Sequence, residues 1–255
     1  MTRPVVQIYE IQTPEEARAM IALGVDHIGS VVTSHEARHD PILRETVATV
    51  RKLGAVSSLI PLYRDPDAVI DTLEAYRPHI VHFCDHLELG RERDIDDALA
   101  LQAAVRRRFP DIRIMRSIPI GRPGMADEQA VLALAGRLEP MSDLFLTDTL
   151  LGGPADSEDT EQPVDGFVGI TGLTCDWDVA AKLVARSRIP VILAGGISPE
   201  NVAAGVLQVA PFGVDSCTCT NAVDATGRPI RFKKDPRRVE KLIEETRRAG
   251  GEGQN

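Results

Sequence analysis

The residues whose type and spacing could do chemistry lie in a few short stretches. His35, Glu36, Ala37, Arg38 and His39 spell HExxH, which on an α-helix sets two imidazoles one turn apart as zinc ligands. Pro41 disfavours helical geometry at Asp40, so the spelling lacks the helix it needs. A looser divalent site could draw on His82, Cys84, Asp85 and His86 in one stretch and Cys217 and Cys219 in another. Alternation along a strand sends some of these outward, and buried thiols commonly only pack, so no metal is assigned. VILAGGISPENV places Gly195 and Gly196 between an apolar strand and a helix with Ser198 as cap and Pro199 at its first position. Glycines there let backbone N–H groups approach an anion such as a phosphate, although two glycines can also simply make a tight turn. Thr218, beside Cys217, could complete such a cradle with its hydroxyl.

These stretches need elements to position them. Residues 5–9 read as a strand, followed by Thr13 as N-cap, Pro14 at the first helical position and a helix over 14–23 ended by Gly24. The rhythm continues with strands 26–32, 55–63, 79–84, 112–120, 144–148, 190–194 and 213–218. Between and after them come helices 41–53, 66–76, 94–109, 127–138, 176–187, 199–206 and, beyond a long loop, 235–248. Runs such as IVHF and VILA are apolar without alternation, as strands covered on both faces should be. Eight such units in 255 residues predict the α/β class and a (β/α)8 TIM barrel; an open doubly wound sheet is the competing arrangement. No Pro-, Gly- or Ser-rich linker divides the chain, so residues 1–249 are expected to form a single domain, with 250–255 (GGEGQN) as a flexible tail.

In a barrel the reacting groups sit at the C-terminal strand ends. Those ends here carry Tyr9 and Glu10, residues 33–40, Tyr63, residues 84–86, residues 120–122, Asp148 onward, Gly195 and Gly196, and residues 217–221. The loop 152–166 adds Asp156, Glu158, Asp159, Glu161 and Asp165 without a basic residue, a solvated loop that would repel phosphate.

Composition bounds the rest. Hydrophobic residues make up 43% and charged residues 26% of the chain, enough apolar mass for a core and incompatible with disorder as the main state. Lys plus Arg number 29 against 38 Asp plus Glu, a net charge of −9, so binding to nucleic acid or an anionic membrane by bulk charge is not expected. No apolar run approaches the roughly 18 residues of a membrane helix, no signal peptide is evident, and the four cysteines are too scattered for a disulfide scaffold. A cytoplasmic protein with reduced thiols is expected.

From residue 5 to residue 248 the chain resembles the phosphoribosylanthranilate isomerases, barrel enzymes of tryptophan biosynthesis that perform an Amadori rearrangement on a phosphoribosyl amine. LAGGISPENV matches the family's LAGGLxPENV, GITGLTCDW mirrors GGTGxTFDW, and ALGVDHIG looks like AGADAIGF; GVD at 213–215 and the closing KDPRRVEKLIEETR also match. The resemblance implies an isomerase without a cofactor, acting on a phosphorylated small molecule as a monomer or homodimer. It implies Asp148, in LFLTDT where the family has LLLDS, as the general acid that opens the furanose ring. It also implies Gly195, Gly196, Cys217 and Thr218 as phosphate contacts, and Arg38, near the family's SPR arginine, as the partner of the anthranilate carboxylate. The family's KICG reads QIYE here, with Gln7 for lysine, Tyr9 for the catalytic cysteine and Glu10 for glycine. A neutral phenol is a poor base at pH 7, so either Glu10, if it points into the site, or Tyr9 would have to replace the thiolate. SCTCTN stands where the family has VSSGVE, which puts Cys219 at a glycine of the phosphate loop. A paralogue acting on another phosphorylated molecule, and a silent phospho-ligand-binding barrel, are the alternatives.

Overall fold

The computed structural model describes residues 3–151 and 164–252. Eight parallel strands close into one barrel: β1 (Val5–Ile8), β2 (His27–Val32), β3 (Val56–Pro61), β4 (Ile80–Phe83), β5 (Arg113–Ile120), β6 (Leu144–Thr149), β7 (Val191–Leu193) and β8 (Gly213–Ser216). Closure is made by β1 against β8, with Gln7 opposite Asp215 and Ile8 opposite Ser216. The open-sheet arrangement is thereby excluded. Helices α1 (Pro14–Leu23), α2 (Pro41–Lys52), α3 (Pro66–Tyr76), α4 (Glu92–Arg108), α5 (Glu128–Leu138), α6 (Trp177–Arg186), α7 (Val202–Val209) and α8 (Pro236–Glu252) form the outer ring. None of the described helices is long and apolar enough to cross a membrane.

Local chemistry starts most of these helices. Thr13 accepts from the Glu16 N–H at 3.2 Å, Asp65 from Ala68 N–H at 2.8 Å and Asp127 from Ala130 N–H at 3.0 Å; each satisfies an N–H that the first helical turn leaves unpaired. Strand alternation then builds two apolar layers. Ile80, Met115, Leu144, Leu146 and Ile192 fill the barrel, while Val6, Ile8, Ile28, Ile118, Phe145 and Val214 face the helices.

Three features depart from expectation. α7 begins at Val202, not Pro199. Asn201 clamps the preceding turn, accepting from Ser198 N–H at 2.9 Å and donating to the Gly196 carbonyl at 2.9 Å, so Ser198 caps no helix. The long loop after β8 contains an antiparallel hairpin, β9 (Asn221–Val223) with β10 (Pro229–Lys234), turned at Asp224, whose carboxylate accepts from Thr226 and Arg228 N–H. Finally, α8 runs on through Gly250 and Gly251 to Glu252, beyond the boundary expected at residue 249. The acidic residues 156–161 lie outside the described residues.

Candidate active site

Two cavities adjoin at the C-terminal end of the barrel. One is walled mainly by apolar groups, among them Val31, Ile60, Leu62, Leu146, Phe167 and Val168, with Tyr9 and Glu10 also on its surface. The other is lined by Thr171, Gly172, Gly195, Gly196, Thr218 and Cys219. Among the described residues only Asp148, Ile170, Asp215 and Cys217 face both.

Asp148, the penultimate residue of β6, turns its side chain into the barrel mouth. Its carboxylate accepts from the Thr149 backbone N–H at 2.9 Å, and burial pushes its pKa up to about 7 against that one bond. Gly169, at φ +111°, passes so close that a Cβ there would lie 2.4 Å from Asp148 Oδ2; only glycine lets the β6–α6 loop close over the carboxyl. Asp215, on β8, is 7% exposed. Burial pushes its pKa to about 7 as well, opposed by the hydrogen bond from Gln7 and the charge of Lys234, and reinforced by the negative charge of Asp148. Gln7 Nε2 donates to Asp215 Oδ1 at 3.1 Å.

The end of β1 is arranged differently from the sequence expectation. Tyr9 is buried, its hydroxyl held between Ser58 Oγ at 2.6 Å and His82 Nδ1 at 2.8 Å, with His82 Nε2 bonded to Ser117 Oγ at 2.8 Å. Burial raises the phenol well above its ordinary value and depresses the imidazole to about 3, so both rings are neutral links in a polar chain across β3, β1, β4 and β5. The Tyr9 ring lies against Gly29, where a Cβ would come within 2.2 Å. Glu10 leaves the strand with φ +64°, which turns its side chain off the alternating pattern and onto the cavity wall. There its carboxylate is taken by Arg231 of β10, at 2.7 Å from Nε, and by the Phe232 N–H at 3.3 Å. Burial and the negative charges of Glu10 and Asp215 push the nearby Cys217 thiol up, against the pull of Lys234.

The glycine cradle forms, without a helix terminus. Gly195 (φ +86°) and Gly196 (φ +60°) touch the β6–α6 loop: a Cβ at Gly196 would stand 2.4 Å from the Leu173 carbonyl carbon. Because α7 starts only at Val202, the backbone facing the cavity comes from the glycines and from a short 3-10 turn, Thr218–Thr220. Thr218 Oγ1 is buried there without a hydrogen-bond partner among the described residues.

Arg38 is not brought to either cavity. Its Nε bonds to Asp71 of α3 at 2.9 Å and its Nη1 to the His35 carbonyl at 2.7 Å. The HExxH stretch is a 3-10 turn, Glu36–His39, broken from α2 by the Asp40 cap, and His39 Nε2 lies 3.2 Å from Asp71. The second set of candidate ligands is scattered by alternation. His82 faces inward, Asp85 pairs outward with the buried Arg116 at 2.6 Å, and Cys219 lies 3.8 Å from the Gly172 carbonyl. Among the described residues no three His, Cys, Asp or Glu side chains are grouped to hold a metal.

Sequence reading missed Asp215, Gln7 and Lys234. Asp215 and Gln7 each stand two residues before a position already flagged, Cys217 and Tyr9, and period-2 alternation puts them on the same inner face. Lys234, 5% exposed, reaches the site only through the hairpin, where its ammonium bonds to the Cys217 carbonyl at 3.0 Å.

Comparison with known proteins agrees with this arrangement. The family model for N-(5'-phosphoribosyl)anthranilate isomerase matches residues 153–244. A curated N-(5'-phosphoribosyl)anthranilate isomerase from Methanocella arvoryzae is 29% identical over 256 aligned positions, covering 97% of this chain and 99% of the relative. Among solved structures, TrpF from Jonesia denitrificans superposes with a TM-score of 0.63 at 19% identity, covering 96% and 97% of the two chains. A phosphoribosylanthranilate isomerase in complex with reduced 1-(o-carboxyphenylamino)-1-deoxyribulose 5-phosphate gives 0.62 at 17% identity, with 95% and 98% coverage. At those identities the structural likeness speaks for the fold, while the sequence matches make the chain similar to N-(5'-phosphoribosyl)anthranilate isomerases along nearly its whole length.

Proposed function

We propose that this protein catalyses the Amadori-type isomerisation of N-(5'-phosphoribosyl)anthranilate. The observation that carries the reading is the pair of adjoining cavities that meet at Asp148. A phosphoribosyl arylamine has an aromatic ring at one end, a phosphate at the other and a ribose between. The apolar cavity at Val31, Ile60, Leu146 and Phe167 suits the ring. The glycine-lined cavity, with Gly195, Gly196, the Cys217–Thr218 backbone and the unpartnered Thr218 hydroxyl, suits the phosphate. The ligand in one solved relative has that same three-part layout.

Asp148 is then the general acid. With its pKa near 7 about half of the carboxyls hold a proton at neutral pH, and a proton there can pass to the ring oxygen as the C1–O bond opens. The substrate is a phosphorylated small molecule and no nucleic acid or membrane takes part; the working unit is a monomer or homodimer in the cytoplasm. The test is conversion of phosphoribosylanthranilate, followed by product fluorescence, in wild type and Asp148→Asn. Wild-type turnover that falls about 10²- to 10⁴-fold in the variant is expected. A wild type that binds a phosphorylated ligand saturably yet converts nothing would refute the reading.

A further inference from the structure

Opening the ring needs an acid, but isomerisation also needs a base to remove the C2 proton. The cysteine that the family resemblance led one to expect at the end of β1 is Tyr9 here. We infer that the base has moved from β1 to β8 and is Asp215, working opposite Asp148 across the ribosyl chain. The inference rests on the isomerase reading given above.

Position argues first. If aromatic ring and phosphate occupy the two cavities, the ribose lies where the cavities meet, and among the described residues only Asp148, Ile170, Asp215 and Cys217 face that junction. Tyr9 and Glu10 line the apolar cavity alone. Tyr9 is also fixed between Ser58 and His82, and Glu10 is held by Arg231. Cys217 keeps its proton, because burial and the negative charges of Glu10 and Asp215 hold the thiol high against the pull of Lys234. Asp215 is what remains.

Register supplies the geometry. Leu146 pairs with Ile192 and Leu193 with Val214, so two residues further along β6, and one along β8, Asp148 and Asp215 flank Ala194, the residue just past β7. Strands lie roughly 4.8 Å apart, which sets the two backbones on the order of 10 Å from each other with only a methyl group between. That gap admits a carbon chain with one carboxyl on either side.

Electrostatics separates the roles. Asp215 is faced by Gln7 of β1 and Tyr9 just after it, Asp148 of β6, Cys217 of its own segment and Lys234 of the hairpin. Of these Lys234 carries the positive charge and Gln7 donates a hydrogen bond, and both favour the carboxylate. Among the described residues Asp148 has only the neighbouring Thr149 N–H. Each carboxyl repels charge on the other, so the pair favours one shared proton, and the Lys234 charge and the Gln7 hydrogen bond favour the negative charge on Asp215 and the proton on Asp148.

The steps balance on that single proton. Asp148 gives it to the ring oxygen as the C1–O bond breaks, and the nitrogen lone pair forms C1=N. Asp215 takes the C2 proton; the C–H electron pair becomes C1=C2 and the C=N pair returns to nitrogen, leaving an enolamine. Asp215 then returns its proton to C1 while Asp148 accepts the proton of the C2 hydroxyl, giving the ketone and restoring both carboxyls.

The test compares wild type, Asp215→Asn, Asp215→Ala and Glu10→Gln on C2-protiated and C2-deuterated phosphoribosylanthranilate. Wild type should convert the substrate with a primary isotope effect. Asp215→Asn should lose at least 10²-fold in kcat while KM stays within about threefold, and formate should restore part of the turnover of Asp215→Ala. Wild-type conversion with Asp215→Asn retaining more than a tenth of kcat would overturn the assignment and leave the isomerase reading standing. Loss of the isotope-sensitive step in Glu10→Gln with Asp215→Asn active would do the same in favour of Glu10. A wild type that converts nothing removes both.

Discussion

Tyr9→Phe separates a structural phenol from a catalytic one. The hydroxyl is buried and makes two hydrogen bonds, at 2.6 Å to Ser58 and 2.8 Å to His82. Its removal strands two buried polar atoms, each at a cost of about 1–3 kcal/mol. Partial re-pairing of Ser58 with His82 offsets some of this, so a net loss of about 2–4 kcal/mol is expected. For a domain of this size each kcal/mol shifts Tm by roughly 2–4 °C, which predicts a fall of roughly 5–15 °C in calorimetry, with a matching shift in the urea midpoint. The kcat of the folded variant should change less than tenfold, because the phenol is held neutral and away from the cavity junction. A variant of unchanged stability whose kcat drops a hundredfold would refute the structural role and return Tyr9 to the chemistry.

Other consequences follow from contacts just as specific. Gly196→Ala places a Cβ 2.4 Å from backbone at Leu173, at φ +60°; neither atom can rotate away, so denaturant titration should show a loss above about 2 kcal/mol, and an unchanged midpoint would contradict the close approach. Arg116→Leu leaves Asp85 without the guanidinium at 2.6 Å and should cost about 3–5 kcal/mol, visible in the same titration, with Asp85→Asn in the Arg116→Leu background recovering part of it. The buried carboxyl Asp215 sets a slope of stability with pH. Its folded pKa, about 7, is above the unfolded 3.8, so its contribution is full below pH 4 and is lost as pH rises through 7. Asp215→Asn should therefore flatten the decline in urea midpoint between pH 5 and pH 8; an unaltered slope would show that the carboxyl is not raised.

The barrel was legible because several strands are apolar runs and most helices begin with a side-chain cap, signals that act within a few residues. Asp148 and the two glycines were legible for the same reason, standing at strand exits. What escaped depends on distant partners or on single dihedral angles. Arg38 is drawn off by Asp71, thirty-three residues later and on another helix. The direction of Glu10 turns on one positive φ, and its partner Arg231 lies on a hairpin whose β10 is mostly exposed and charged, so no apolar alternation announced it. Pro199 read as a helix start because proline suits that position, yet the Asn201 side chain holds the segment as a turn. Asp215 was hidden in plain alternation: its pairing with Gln7 follows from closing β1 against β8, which local sequence does not specify.

The most direct test of the whole account is the structure of the protein with the reduced carboxyphenylamino-deoxyribulose phosphate bound. The phosphate is predicted to lie on Gly195, Gly196 and Thr218, the aryl ring against Ile60, Leu146 and Phe167, and the C1–C2 bond between the carboxyls of Asp148 and Asp215. A ligand whose phosphate sits away from the glycine cradle, or whose C2 faces Glu10 or Tyr9 instead of Asp215, would contradict it.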